Sequence, residues 1–213
     1  MKKFVLLFAS VLITFAVIGV NEVKAQVPEF SVALGASYPD APGKAGFDSA
    51  VKFNFKLNRM LGIGVESGFG WINSEKKAGE AFIGDVELLH TESVNFYSVP
   101  VLGGFTFNFP LGDQYSPLSF FVSGAAGYSW TFYRGDESYI FQGFTWQALA
   151  GFGYTYDEDF GNMKLFCEIG YRGTMIKSNI EVAPGITRKL ELDMSAPFVR
   201  IGVSFPLGYS DFM

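Results

Sequence analysis

The residue types that could do chemistry are few. His90 is the only histidine, and with Glu87 before it and Ser93 after it the segment holds the three residue types of a Ser-His-acid hydrolase. Adjacent side chains on an extended chain point to opposite faces, so this spacing alone does not assemble a triad, and the segment reads as a solvated loop. Asp157-Glu158-Asp159 offers carboxylates to Ca²⁺ but lacks the remaining oxygen ligands, which leaves an acidic turn in water. Cys167 is the only cysteine; an internal disulfide and a multi-cysteine metal site are both excluded. The glycines recur at every second position rather than ahead of a helix, so they cradle no phosphate. No catalytic, cofactor or metal residue is assigned, and the chain is read as a non-enzyme. Five charges remain, Lys52, Glu66, Glu168, Arg172 and Arg200, and the chemistry open to them is pairing with one another.

Each of these charges alternates with apolar residues, the two-residue period of a pleated strand. Eight segments carry the alternation: Phe30 to Tyr38, Ser49 to Leu57, Leu61 to Trp71, Asn95 to Phe109, Leu118 to Phe132, Gln142 to Tyr156, Met163 to Thr174 and Phe198 to Phe205. In the second, Val51, Phe53, Phe55 and Leu57 oppose Lys52, Asn54 and Lys56. In the last, Val199, Ile201, Val203 and Phe205 oppose Arg200, Gly202 and Ser204. One face is large and apolar on every strand, while the other is small, glycine-rich or charged, which fits apolar-out, polar-in walls in a membrane. Tyr38, Trp71, Tyr128, Trp130, Tyr154 and Tyr156 fall toward strand ends, where interfacial girdles belong. Pro100 lies inside the fourth segment and calls for a bulge. Short turns follow the even strands, at Asn58 to Met60, Pro110 to Pro117 and Asp157 to Asn162. Longer loops, 73–93 and 175–191, follow the third and seventh strands.

Ahead of the strands, Met1-Lys2-Lys3 and the uncharged run Phe4 to Val20 form a basic n-region and an apolar h-region, and Val23-Lys24-Ala25 offers small residues for cleavage. Residues 1–25 read as a secretory signal peptide, leaving residues 26–213 as one domain. Of 16 basic and 21 acidic residues, removing Lys2, Lys3, Lys24 and Glu22 leaves 13 and 20, net −7. That balance argues against nucleic acid or an anionic lipid surface as an electrostatic partner.

The run Arg200-Ile201-Gly202-Val203-Ser204-Phe205-Pro206-Leu207 resembles the insertion signal of bacterial outer-membrane barrels, with Arg200, Gly202, Phe205 and Leu207 at its defining positions. With Tyr97 to Gly104, Ser123 to Ser129 and Glu168 to Arg172, it makes the chain similar to the OmpA/OmpX-like small outer-membrane β-barrel family over nearly all of residues 26–207. The resemblance implies an all-β fold, an eight-stranded antiparallel up-and-down transmembrane β-barrel, in the outer membrane of a Gram-negative-type envelope. It also implies outer-membrane lipid as surroundings and the barrel-assembly machinery as a partner of the C-terminal strand.

An eight-stranded barrel is filled by its own side chains, so Lys52, Glu66, Glu168, Arg172 and Arg200 are expected to plug the lumen as paired ions. Contact with any external ligand would fall to loops 73–93 and 175–191. The alternative is a narrow channel or a hydrophobic-ligand conduit. Turn parity adds a register: a three-residue turn at Asn58 to Met60 sets Lys52 opposite Glu66, and pairing Phe205 with Met163 sets Glu168 opposite Arg200.

Overall fold

The structure, a computed structural model, describes residues 28–40, 42–58, 60–75, 93–112, 116–135, 138–156, 163–183 and 186–207. The region read as a signal peptide, His90 and the acidic turn 157–159 lie outside them. Nine strands follow in chain order: β1 (Glu29–Ser37), β2 (Gly46–Lys56), β3 (Leu61–Glu75), β4 (Ser93–Pro110), β5 (Leu118–Arg134), β6 (Ser138–Thr155), β7 (Lys164–Ala183), β8 (Ile186–Asp193) and β9 (Ala196–Pro206). From β1 to β8 each strand pairs antiparallel with its neighbours in sequence, apart from the β8 to β9 step. β9 pairs with β7 on one side and β1 on the other, which closes the sheet. Met175 faces Asp193 and Arg172 faces Ala196 in one unbroken register, so β8 and β9 are the upper and lower parts of a single eighth wall strand. The fold is therefore an eight-stranded closed antiparallel barrel.

The alternation in sequence becomes the two faces of this wall. Outward side chains such as Val65, Phe144, Ile169 and Ile201 are exposed, the last at 67%, while Ala33, Leu102, Leu149 and Phe198 on the inward face are buried. Cys167 also faces outward and is exposed. Every strand assigned faces from its sequence pattern has them on those sides.

The turn between β2 and β3 is held by Asn58, whose carboxamide oxygen accepts the N–H groups of Met60 and Leu61 at 2.8 and 2.7 Å. This Asx turn keeps the parity that sets Lys52 opposite Glu66. Between β1 and β2, Gly43 adopts φ 60°, a left-handed conformation that side chains disfavour.

Four expectations require correction, three of which concern a bulge and two loops. Pro100 forms no bulge, since Ser67 faces Val101 and Gly70 faces Ser98 in the same register. The pairing lapses between those positions instead, so the missing proline N–H interrupts the ladder without shifting it. Residues 73–75 and 93 belong to β3 and β4, with 76–92 outside the described residues. Nor is 175–191 a loop: it is the upper part of β7 and most of β8.

The reason for the last error is an inversion of polarity. Along β7 the outward residues change from Ile169 and Tyr171 to Lys177, and the inward ones from Glu168 and Arg172 to Ile176, which is fully buried. Above the level of Met175 the β7–β8 hairpin has the polarity of a soluble sheet, apolar inside and polar outside, as a wall in water would. The same lengthening carries Trp71, Tyr128 and Trp130 away from strand ends, where sequence had put them, into mid-strand.

A positive charge on the lower outward face should be poorly tolerated. Ile201→Arg is expected to destabilise the bilayer-folded state by about 2–4 kcal/mol near the midplane, measured by urea-dependent folding into lipid vesicles; refolding as readily as the parent would mean the faces are reversed.

Candidate functional site

The five sequence-selected charges lie on β2, β3, β7 and β9, and closure brings them together across the interior. Lys52 faces Glu66 and Glu168 faces Arg200 in the ladders, as parity requires. The contacts run further than these pairs. Lys52 Nζ lies 2.6 Å from Glu168 Oε2 and 3.7 Å from Glu66 Oε2. Arg200 Nη1 donates to Glu66 Oε1 at 3.0 Å, and its Nε lies 2.7 Å from Glu168 Oε1 as an ion pair outside hydrogen-bond alignment.

Two members were not singled out from sequence. Asp48 bridges both guanidiniums, with Oδ2 accepting from Arg172 Nη1 at 2.9 Å and Oδ1 from Arg200 Nη1 at 3.4 Å. Gln147 donates to Glu66 Oε2 at 2.7 Å and accepts from Arg172 Nε at 3.4 Å. Asp48 precedes the second alternating segment, although its even number matches the inward parity of Lys52; Gln147 has the right face but no charge to mark it.

The cluster thus holds three cations, Lys52, Arg172 and Arg200, against three anions, Asp48, Glu66 and Glu168. Arg200, Glu168 and Asp48 are each 1% exposed, so their desolvation has to be offset by pairing. Arg200 Nη2 has no hydrogen-bond partner among the described residues. The guanidinium face instead rests on Phe198, 4.2 Å from the ring centroid, and Arg172 approaches the same ring at 5.3 Å.

Above the charges come the hydroxyls of Ser129, Thr131, Thr145 and Thr174, all buried. Higher still, within the water-exposed part of the wall, Ile72, Val94, Phe96, Tyr133, Phe141, Ile176, Leu190, Leu192 and Met194 form a buried apolar layer. Sequence reasoning missed this layer because it looked for polar residues inside and stopped the strands short. A second cluster, Ala33, Ala50, Phe121, Leu149, Phe166 and Phe198, packs beside the charges. Toward the end with the termini, Lys52, Lys56 and Lys164 line a polar vestibule with Glu29, and Lys56 Nζ lies 2.5 Å from Glu29 Oε1.

The residues of the insertion motif have structural work of their own. Arg200 belongs to the ion cluster, and a Cβ on Gly202 would run into the Phe166 ring and the Val32 carbonyl. Phe205 and Leu207 are exposed, Phe205 on the outward face.

A closed sheet with an apolar outer belt and a charged interior defines a transmembrane β-barrel. Solved structures superpose on the chain to different extents. Neisserial surface protein A superposes with a TM-score of 0.53 at 12% identity, over 86% of this chain and 98% of that one. Ail, the attachment invasion locus protein of Yersinia pestis, solved with the heparin analogue sucrose octasulfate, gives 0.46 at 13% identity over 84% and 99%. The outer membrane protease OmpT from Escherichia coli gives 0.47 at 8% over 88% and 100%. No protein-family model matches the chain, and no curated protein sequence matches it. The chain has the fold of the small outer-membrane β-barrels.

Removing one member of the ion cluster should hurt more than removing a balanced pair. Arg200→Met leaves three buried carboxylates to two cations, Lys52 and Arg172, and is expected to cost about 3–5 kcal/mol. Adding Glu168→Gln should recover part of that loss in a double-mutant cycle of folding stability, and strict additivity of the two changes would deny the coupling.

Proposed function

We propose that the protein is a non-enzymatic integral outer-membrane barrel, residues 26–213 after export, whose lumen is plugged and whose water-exposed hairpins make its surface contacts. The observation that carries this reading is the interior itself: a balanced, buried ion cluster beneath a buried apolar layer leaves little room or net charge for an ion path. Contacts would fall on the β7–β8 hairpin, where Lys177 and Lys189 share the Glu191 carboxylate at 2.8 and 3.6 Å on the exposed face. The Glu191 carboxyl is held below the usual range first by its hydrogen bond from Lys177, so the face keeps its charges near neutral pH. The C-terminal strand, with its insertion motif, would engage the assembly machinery.

The non-enzymatic assignment rests on residue types, since the spacing around the only histidine does not assemble a Ser-His-acid triad. Two measurements test the whole. In planar bilayers the refolded chain should be silent; discrete stable openings would favour the narrow channel or hydrophobic-ligand conduit. Cys167, the only thiol, should resist a water-soluble maleimide in the bilayer-inserted protein and react after unfolding, whereas rapid labelling in the bilayer would place that face in water.

A further inference from the structure

The ladder register sets four inward residues in one row across the vestibule at the end with the termini. Lys164 on β7 faces Ser204 on β9, Ser204 faces Ser31 on β1, and Ser31 faces Lys52 on β2. Two ammonium groups thus flank two hydroxyls, and all four residues line the vestibule. The lysines differ in what they hold. Lys52 is committed to Glu168 and Glu66. Among the described residues Lys164 has neither an ion pair nor a hydrogen bond, and its Nζ rests 5.0 Å from the Phe121 ring centroid. Glu29, the other carboxylate of the vestibule, is taken by Lys56. Gly153 keeps the path of Lys164 clear: a Cβ there would run into the Cε of the lysine, so the stem lies along bare backbone and delivers its ammonium to the vestibule.

We infer that the vestibule binds one small oxyanion, held by the Lys164 ammonium and the hydroxyls of Ser31 and Ser204. Charge, donors and size each point to this class. Around the vestibule and the ion cluster the described cations are Lys52, Lys56, Lys164, Arg172 and Arg200, and the carboxylates are Glu29, Asp48, Glu66 and Glu168. With the others paired, Lys164 is the cation left over. A half-buried ammonium over an aromatic ring has given up water without gaining a counter-charge, and an anion from solution supplies one. Ser31 and Ser204, each 4% exposed, add donors beside it. The free volume, about 50 Å³, is that of about four waters. It suits a phosphate or carboxylate group and is too small for a sugar phosphate or a nucleotide. The inference goes beyond the surface-contact reading and needs only the closed barrel.

The test is calorimetric titration of inorganic phosphate into the refolded chain in dodecyl maltoside micelles, with heat-modifiable gel mobility confirming that each variant is folded. The parent should bind phosphate, sulfate should compete, and glucose 6-phosphate should not. Lys164→Met should weaken binding about tenfold, the worth of one charge-assisted hydrogen bond, and the Ser31→Ala, Ser204→Ala double variant about fivefold. Gly153→Ala keeps every charge but displaces the lysine stem; it should weaken binding too, and it decides the matter if Lys164→Met does not fold. No phosphate binding by the parent, or an affinity unchanged in the folded variants, would overturn the inference while leaving the barrel in place. Equal competition by glucose 6-phosphate would overturn the assignment to a small oxyanion. The acidic turn 157–159 joins β6 to β7 at this end, outside the described residues, and its carboxylates are rival partners for Lys164. Asp157→Asn, Glu158→Gln and Asp159→Asn together should leave phosphate binding intact; binding that appears only in that triple variant would mean the turn already serves Lys164, and would overturn the inference. The affinity should be the same in phosphatidylcholine nanodiscs, and its loss there would assign the site to a lipid phosphate instead of a free anion.

Discussion

Inside hydrocarbon no water is available to the backbone, so each N–H and C=O of the wall has to find its partner within the chain. That requirement is met at one seam. β1 and β9 pair without a break from Glu29 with Pro206 to Ser37 with Phe198, and this ladder turns an open meander into a closed sheet. Close approach at the seam is part of it: a Cβ on Gly35 would collide with the Val199 carbonyl and with Arg200. Arg200 sits on the closing strand and ties that strand through its guanidinium to β2, β3 and β7. Backbone closure and interior charge pairing are thus joined in one residue.

The interior charges also bear on register. A one-residue slip of any strand would exchange its two faces, carrying Lys52 or Glu168 into lipid and Phe53 or Ile169 into the lumen. Buried ion pairs are poor sources of net stability. Their value here is the penalty on the alternative pairing, since a charge in the hydrocarbon is far worse than a charge among counter-charges. The same reasoning accounts for the absence of charge from the lower outward face of β7 and β9, where Leu165, Ile169, Val199 and Ile201 meet lipid.

Higher up, the wall changes solvent and the rule for its faces changes with it. Ile176, Leu190 and Leu192 turn inward while Lys177, Lys189 and Glu191 turn out. Along β7 and β8 one continuous sheet is therefore of membrane-wall type below and of soluble type above. The transition on β7 takes place between Met175 and Lys177.

Local pattern was enough for much of this. The two-residue period set the faces of the strands, and turn length set the register that opposes Lys52 to Glu66, because both are properties of adjacent residues on a pleated chain; the opposition of Glu168 to Arg200 followed only once Phe205 was paired with Met163. Tertiary structure decided the rest. Lys52 lies nearer Glu168, 116 positions away, than its ladder partner Glu66, and Asp48 reaches Arg200 across 152 positions. Such neighbours are set by closure of the wall around a narrow interior, which no spacing along the chain encodes. The hairpin over 175–191 was hidden for a related reason: its alternation is present in the sequence but with inverted polarity, and which face of a strand counts as inside depends on whether lipid or water surrounds it at that height.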